Sequence, residues 1–259
     1  MRIAAGVEYR GTAFKGWQSQ NGVRTVQDCV EQALAQVADH PVRVVTAGRT
    51  DAGVHATGQV VHFDTRARRP AHSWLRGTNS NLPGDVRLLW VKQVPDDFHA
   101  RFRAIERSYR YVVYLSPSRP AILNGLCTWV YQDLSLPPMQ EAAGALVGGH
   151  DFSAFRAAGC QARSALRTVT RCRMERSGPW IWLDISADAF LQHMVRNIMG
   201  TLLVIGRGER PVQWIHEVLA SGDRTRAGMC APAAGLYLTG VSYPSGLRIP
   251  APVDPVRFW

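Results

Sequence analysis

The stretch Ala47-Gly48-Arg49-Thr50-Asp51-Ala52-Gly53-Val54-His55-Ala56 sets a cation, a carboxylate and an imidazole among small residues. An aspartate in such a segment suits nucleophilic or proton-transfer chemistry, provided a cation keeps it ionised away from water. The plainer reading is a turn in which Thr50 and Asp51 hydrogen-bond their own backbone, the commoner fate of an Asp between small residues. His55 lies four residues after Asp51, but one His and one Asp do not make a metal site; a loop-stabilising His is expected, and no metal. A second set of polar residues, His193, Arg196 and Asn197, interrupts the apolar run from Phe190 to Ile205. A helix apolar on most faces is buried, and a guanidinium on it needs a partner, here expected to be a carboxylate lining a cleft.

The elements that must hold these residues are legible as alternating patterns. Ile3 to Tyr9 reads as a strand, and Thr25 with Asp28 three residues on opens a helix whose apolar face is Val26, Val30, Ala33, Leu34 and Val37. Strands follow at Val42 to Ala47 and Gly58 to Asp64, a short helix at Ala71 to Asn79, and a strand at Val86 to Val94. The order is β-α-β-β-α-β. It recurs loosely in strands at Ser108 to Leu115, Thr168 to Glu175, Trp180 to Ala187 and Gly235 to Tyr243, with a helix at Pro137 to Val147. An α+β protein of two ferredoxin-like halves is expected, divided at 1–104 and 105–247, with a Pro-containing tail at 248–259.

With 259 residues, 46% of them hydrophobic, the chain can bury a sizeable core. Thirty Lys and Arg against twenty Asp and Glu give a formal net charge of +10, which favours a polyanionic partner, nucleic acid first. Only Lys15 and Lys92 among the basic residues are lysine, so a GC-rich genome that inflates arginine is a competing source of the excess. Five scattered cysteines without a CxxC pair read as free thiols in a reducing cytoplasm. No apolar run is long enough for a signal peptide or a membrane span.

The segment Ala47 to Asp64, AGRTDAGVHATGQVVHFD, closely resembles the signature of the TruA family of tRNA pseudouridine synthases. The resemblance continues through GWQSQ at Gly16 to Gln20, NLPGDV at Asn81 to Val86, DDFHARF at Asp96 to Phe102 and RSYRYVVY at Arg107 to Tyr114. It extends further through HDFSAF at His150 to Phe155, HMVRNIMG at His193 to Gly200 and GLYL at Gly235 to Leu238. It implies that Asp51 is the catalytic aspartate, that Arg196 pairs with it, that Tyr109 lies beside the target base, that Arg49 assists base extrusion, and that Leu236 contacts the substrate. It also implies two ferredoxin-like halves joined around a central antiparallel sheet with a cleft between them, and a homodimer. The implied reaction turns uridine into pseudouridine at tRNA positions thirty-eight to forty in the anticodon arm. An isomerisation of this kind needs no redox cofactor or energy donor. The alternatives from other classes are a non-catalytic RNA-binding module, since such halves with a basic surface bind RNA by shape and stacking, and, more weakly, a metal-dependent nuclease, which wants several clustered carboxylates.

Overall fold

The structure, a computed structural model, describes residues 1–251 and 256–258. The fold is α+β, with mostly antiparallel strand pairing. The chain forms two compact units, one built on Met1–Glu106 together with the last strand from Tyr237 on, the other on Arg107–Leu236. This division is not contiguous, unlike the one read from the sequence, because the last strand pairs with a strand of the first unit.

In the first unit β1 (Arg2–Tyr9), α1 (Val26–Ala38), β2 (Val44–Thr46), β3 (His55–Asp64), α2 (Ala71–Asn81) and β4 (Val86–Val94) follow the expected order. β1 lies between β3 and β4, antiparallel to both, and β2 adds to β3. The helix start read at Thr25 is present: its hydroxyl accepts the Asp28 N–H and bonds the Asp28 carboxylate. β3 begins three residues before its expected start, so His55 stands on a strand rather than in the loop. β10 (Leu236–Ser242) meets β3 in a short parallel pairing, Tyr237 beside His55 and Leu238 beside Ala56. Gly58 on β3 permits this approach, since a Cβ there would meet the Thr239 carbonyl oxygen at 2.3 Å.

In the second unit β5 (Glu106–Leu115) pairs antiparallel with β9 (Trp180–Ala187), β9 with β8 (Leu166–Ser177), and β8 with β7 (Gly148–Asp151); β6 (Thr128–Val130) adds in parallel to β5. The strands β6 and β7 escape a sequence reading because they are three and four residues long. α3 (Leu136–Gly144) and α5 (Trp214–Ser221) flank α4 (Met194–Gly206) in the sequence. α4 starts four residues later than the apolar run suggests, because His193 takes a left-handed conformation (φ 62°) that ends any helix preceding it. The tail expected at 248–259 lies partly outside the described residues. Its first residues pack, with Lys92 bonding the Arg248 carbonyl, and Phe258 stacks on Trp180 with ring centroids 5.4 Å apart.

Arg110 on β5 and Asp184 on β9 are cross-strand neighbours held by two hydrogen bonds of 2.7 Å, both largely withdrawn from water, with the guanidinium also 5.5 Å from the Trp182 ring. Removing Arg110 leaves the Asp184 carboxylate to the longer 3.8 Å contact with Arg171, a cost of up to about 3–5 kcal/mol. Arg110→Met should therefore lower the urea midpoint sharply, and the double variant Arg110→Met/Asp184→Leu should recover most of the loss. An Arg110→Met variant as stable as the wild type would show the pair to be inconsequential, and a double variant no more stable than the single would refute the stranded charge.

Candidate active site

The Asp51 loop is fixed from several sides within the first unit. At its start the Ala47 N–H donates to Val60, and the Gly48 carbonyl accepts from the Gln59 amide at 2.7 Å. At its centre the Thr50 carbonyl accepts the Trp17 N–H (3.0 Å), and the Thr50 hydroxyl meets the buried Tyr9 hydroxyl at 2.7 Å. At its end Val54 N–H closes back on the Asp51 carbonyl, and Gly53, at φ 79°, donates to Phe14.

Two glycines of the preceding segment make this seat possible. A Cβ on Gly11 would lie 1.9 Å from the Val54 carbonyl oxygen, and one on Gly16, whose φ is 94°, would lie 2.8 Å from that of Thr50. His55 completes the support: its Nδ1 accepts the Gly11 N–H at 3.1 Å and its ring stacks on Tyr237 at 4.5 Å. The loop thus presents Asp51, half-buried, next to an exposed Arg49. Tyr9, Thr50, Gly11, Gly16 and Gln59 hold it; Thr50, Gly16 and Gln59 lie within the family-like segments of the sequence, and Tyr9 and Gly11 do not. The available signal for Gln59 was an amide directly before the apolar pair Val60 and Val61 in a strand, and the structure buries it wholly.

Tyr109, Arg196 and Leu236 belong to the second unit. Tyr109 on β5 is nearly buried and takes the Phe190 ring edge-to-face at 5.0 Å. Tyr111, two residues on, is the local anchor. Its hydroxyl bonds the Thr128 hydroxyl at 2.5 Å and donates to the Pro232 carbonyl at 2.7 Å, and burial drives its ionisation far above the ordinary range. Arg196 feels the same neighbourhood and opposes part of that shift. Its Nε donates to the Ala231 carbonyl at 2.8 Å while the Ala231 N–H returns to the Arg196 carbonyl, so the guanidinium stem is locked to the segment leading into Leu236. Asn197 joins the Phe155 carbonyl to Arg224, and Thr201 receives the Gly228 N–H. The polar residues of this apolar helix therefore tie it to neighbouring loops. Leu236 is buried at the start of β10, after a turn whose Gly235 leaves no room for a Cβ against the Val112 carbonyl.

Residues 5–103 and 142–244 match the family model described as tRNA pseudouridine synthase. The chain belongs to the tRNA pseudouridine synthase family. Full-length relatives agree: it is 54% identical over 259 residues to the tRNA pseudouridine synthase A of Nitrosococcus oceani, with 100% of each chain covered. It is 54% identical over 250 residues to that of Pseudoalteromonas atlantica (96% of this chain, 95% of the relative). To that of Escherichia fergusonii it is 51% identical over 251 residues (97% and 93%). In this family member no helix among the described residues is long and apolar enough to cross a membrane, and no cluster of three or more His, Cys, Asp or Glu side chains is placed to hold a metal.

The Tyr9 hydroxyl makes a pH test of the loop seat. Burial raises its pKa to about 12, above the ordinary value near 10, so the folded state favours the neutral phenol. The stability this supplies is complete below pH 10 and is lost as pH rises towards 12. Tyr9→Phe should cost about 1 kcal/mol at neutral pH, by leaving the Thr50 hydroxyl without its buried partner. It should also flatten the alkaline decline in urea-unfolding free energy. A variant with the wild-type decline would place the titration elsewhere.

Proposed function

We propose that the protein isomerises uridine to pseudouridine in tRNA, with Asp51 as the catalytic carboxylate, at the neighbouring positions thirty-eight to forty of the anticodon arm. The observation that carries the reading is the seat of Asp51: a carboxylate on a loop held by backbone contacts that exclude any side chain at Gly11 and Gly16. Family membership and the names of the full-length relatives support the reaction. The bond from ribose to N1 breaks, the uracil turns, and C5 takes the place of N1. Asp51 acts on C1′, on C6 or on a sugar proton, and in each route the carboxylate must be ionised.

In this reading Arg196 is the cation that serves Asp51, Tyr109 offers a ring to the uracil and a hydroxyl for the C5 proton, and Leu236 adds an apolar contact to the base. Arg49 fills the space a flipped nucleotide vacates, which offsets an extrusion cost of a few kcal/mol. Neighbouring uridines are served because the tRNA body is held through phosphates while the base that flips most readily is captured. A homodimer working in the cytoplasm completes the proposal; all five cysteines are free thiols, in keeping with a reducing compartment.

Asp51→Asn and Asp51→Ala should form no pseudouridine on tRNA transcripts while binding them as the wild type does, and turnover by either would remove Asp51 from the chemistry. Arg196→Met, folded, should lower single-turnover rates by about 10²–10³, the loss typical of a missing electrostatic partner. Mapping should place the product in the anticodon arm and show more of it where that stem is weakly paired. Product in another arm would refute the positional part alone.

A further inference from the structure

DDFHARF ends on an aromatic that the core does not use. Phe102 is 76% exposed, yet the turn carrying it is held by hydrogen bonds on several sides. The Nδ1 of His99 accepts the N–H groups of both Arg101 and Phe102 at 3.2 Å, and the Arg103 N–H closes on the His99 carbonyl at 3.0 Å. Below them the Nδ1 of His62 accepts the Ala100 N–H at 3.1 Å, and the Tyr243 hydroxyl donates to the Ala100 carbonyl at 2.7 Å. Arg2 adds a 2.8 Å bond to the Phe98 carbonyl. Burial, with the Arg2 charge, holds His62 down to about 4, so it stays a neutral acceptor.

The Phe102 ring stacks on His99 with centroids 4.3 Å apart and planes 28° from parallel, and the Arg101 guanidinium lies 5.6 Å from its centre. A ring this exposed normally either hides or moves; here the loop fixes it in advance of any ligand. Arginines on both sides in sequence suit a polyanion, and alternation with charge suits a protein interface poorly, whose buried centre is depleted of charged residues. Aromatic rings beside guanidiniums are the platforms on which unpaired bases stack.

We propose that Phe102 is a stacking platform for an unpaired nucleobase of the bound tRNA, with Arg101 and Arg103 receiving the adjoining phosphates. The proposal rests on the tRNA-modifying reading but concerns binding, not chemistry. Phe102→Ala should weaken binding of a tRNA transcript to the full-length protein about tenfold, equal to about 1.4 kcal/mol. Phe102→Trp should stay within about twofold of the wild type, and saturating single-turnover rates should change little in either. Thermal melting confirms folding, and light scattering reports mass. Wild-type affinity in folded Phe102→Ala would overturn the proposal, as would a change of oligomeric state that alone accounts for weakened binding. Were the wild type to bind tRNA but form no pseudouridine, a tenfold loss in Phe102→Ala would still uphold the platform while the proposed reaction failed.

Discussion

The structure of the first unit turns on how closely backbone may approach backbone. The Asp51 loop rests against the segment after β1 at distances that admit hydrogen but no methyl group, at Gly11 against Val54 and at Gly16 against Thr50. That proximity lets the Trp17 N–H reach Thr50 and the Gly11 N–H reach His55. A loop tied at its start, centre and end has little freedom to spend on placing its carboxylate, which is what a reacting group requires. The apolar support beneath it, Tyr9, Trp17 and Val54, is buried for the same reason: hydroxyls and carbonyls this close must be dry and paired.

The second unit meets a related constraint with side chains. α4 is buried along most of its length, so its polar residues are tolerated only because each finds a loop: Arg196 the Ala231 carbonyl, Asn197 the Phe155 carbonyl, Thr201 the Gly228 N–H. Tyr111 fastens the same loop through Pro232. The residues proposed to meet the base, Tyr109 and Leu236, stand at either end of this bonded network, one beside Tyr111 on β5 and one after the loop.

Much of this is legible in the sequence. Long elements with clear periodicity, such as α1 with its Thr25 cap, read correctly because local propensity and burial agree there. The short strands β6 and β7 carry too few side chains to show a period, whereas the equally short β2 sits in a longer alternating run, and the left-handed His193 is a backbone event with no compositional sign in a run of apolar residues. The return of β10 to the first unit is a long-range pairing, which periodicity cannot reveal. The candidate residues came from the motifs. Their supporting roles did not, because Gly11 and Gln59 matter through contacts with residues distant in the sequence, whether or not a motif contains them.

The claim that the glycine seat fixes the catalytic carboxylate is tested most directly by single-turnover pseudouridine formation in Gly16→Ala, measured with saturating tRNA. A Cβ at that position meets the Thr50 carbonyl oxygen at 2.8 Å and must hold a φ of 94°, so the loop has to shift. The rate should fall at least about tenfold, since small misplacements of reacting groups are costly. The Kd for tRNA should stay near the wild-type value and the protein should remain folded. A folded Gly16→Ala protein that turns over at the wild-type rate would contradict the claim.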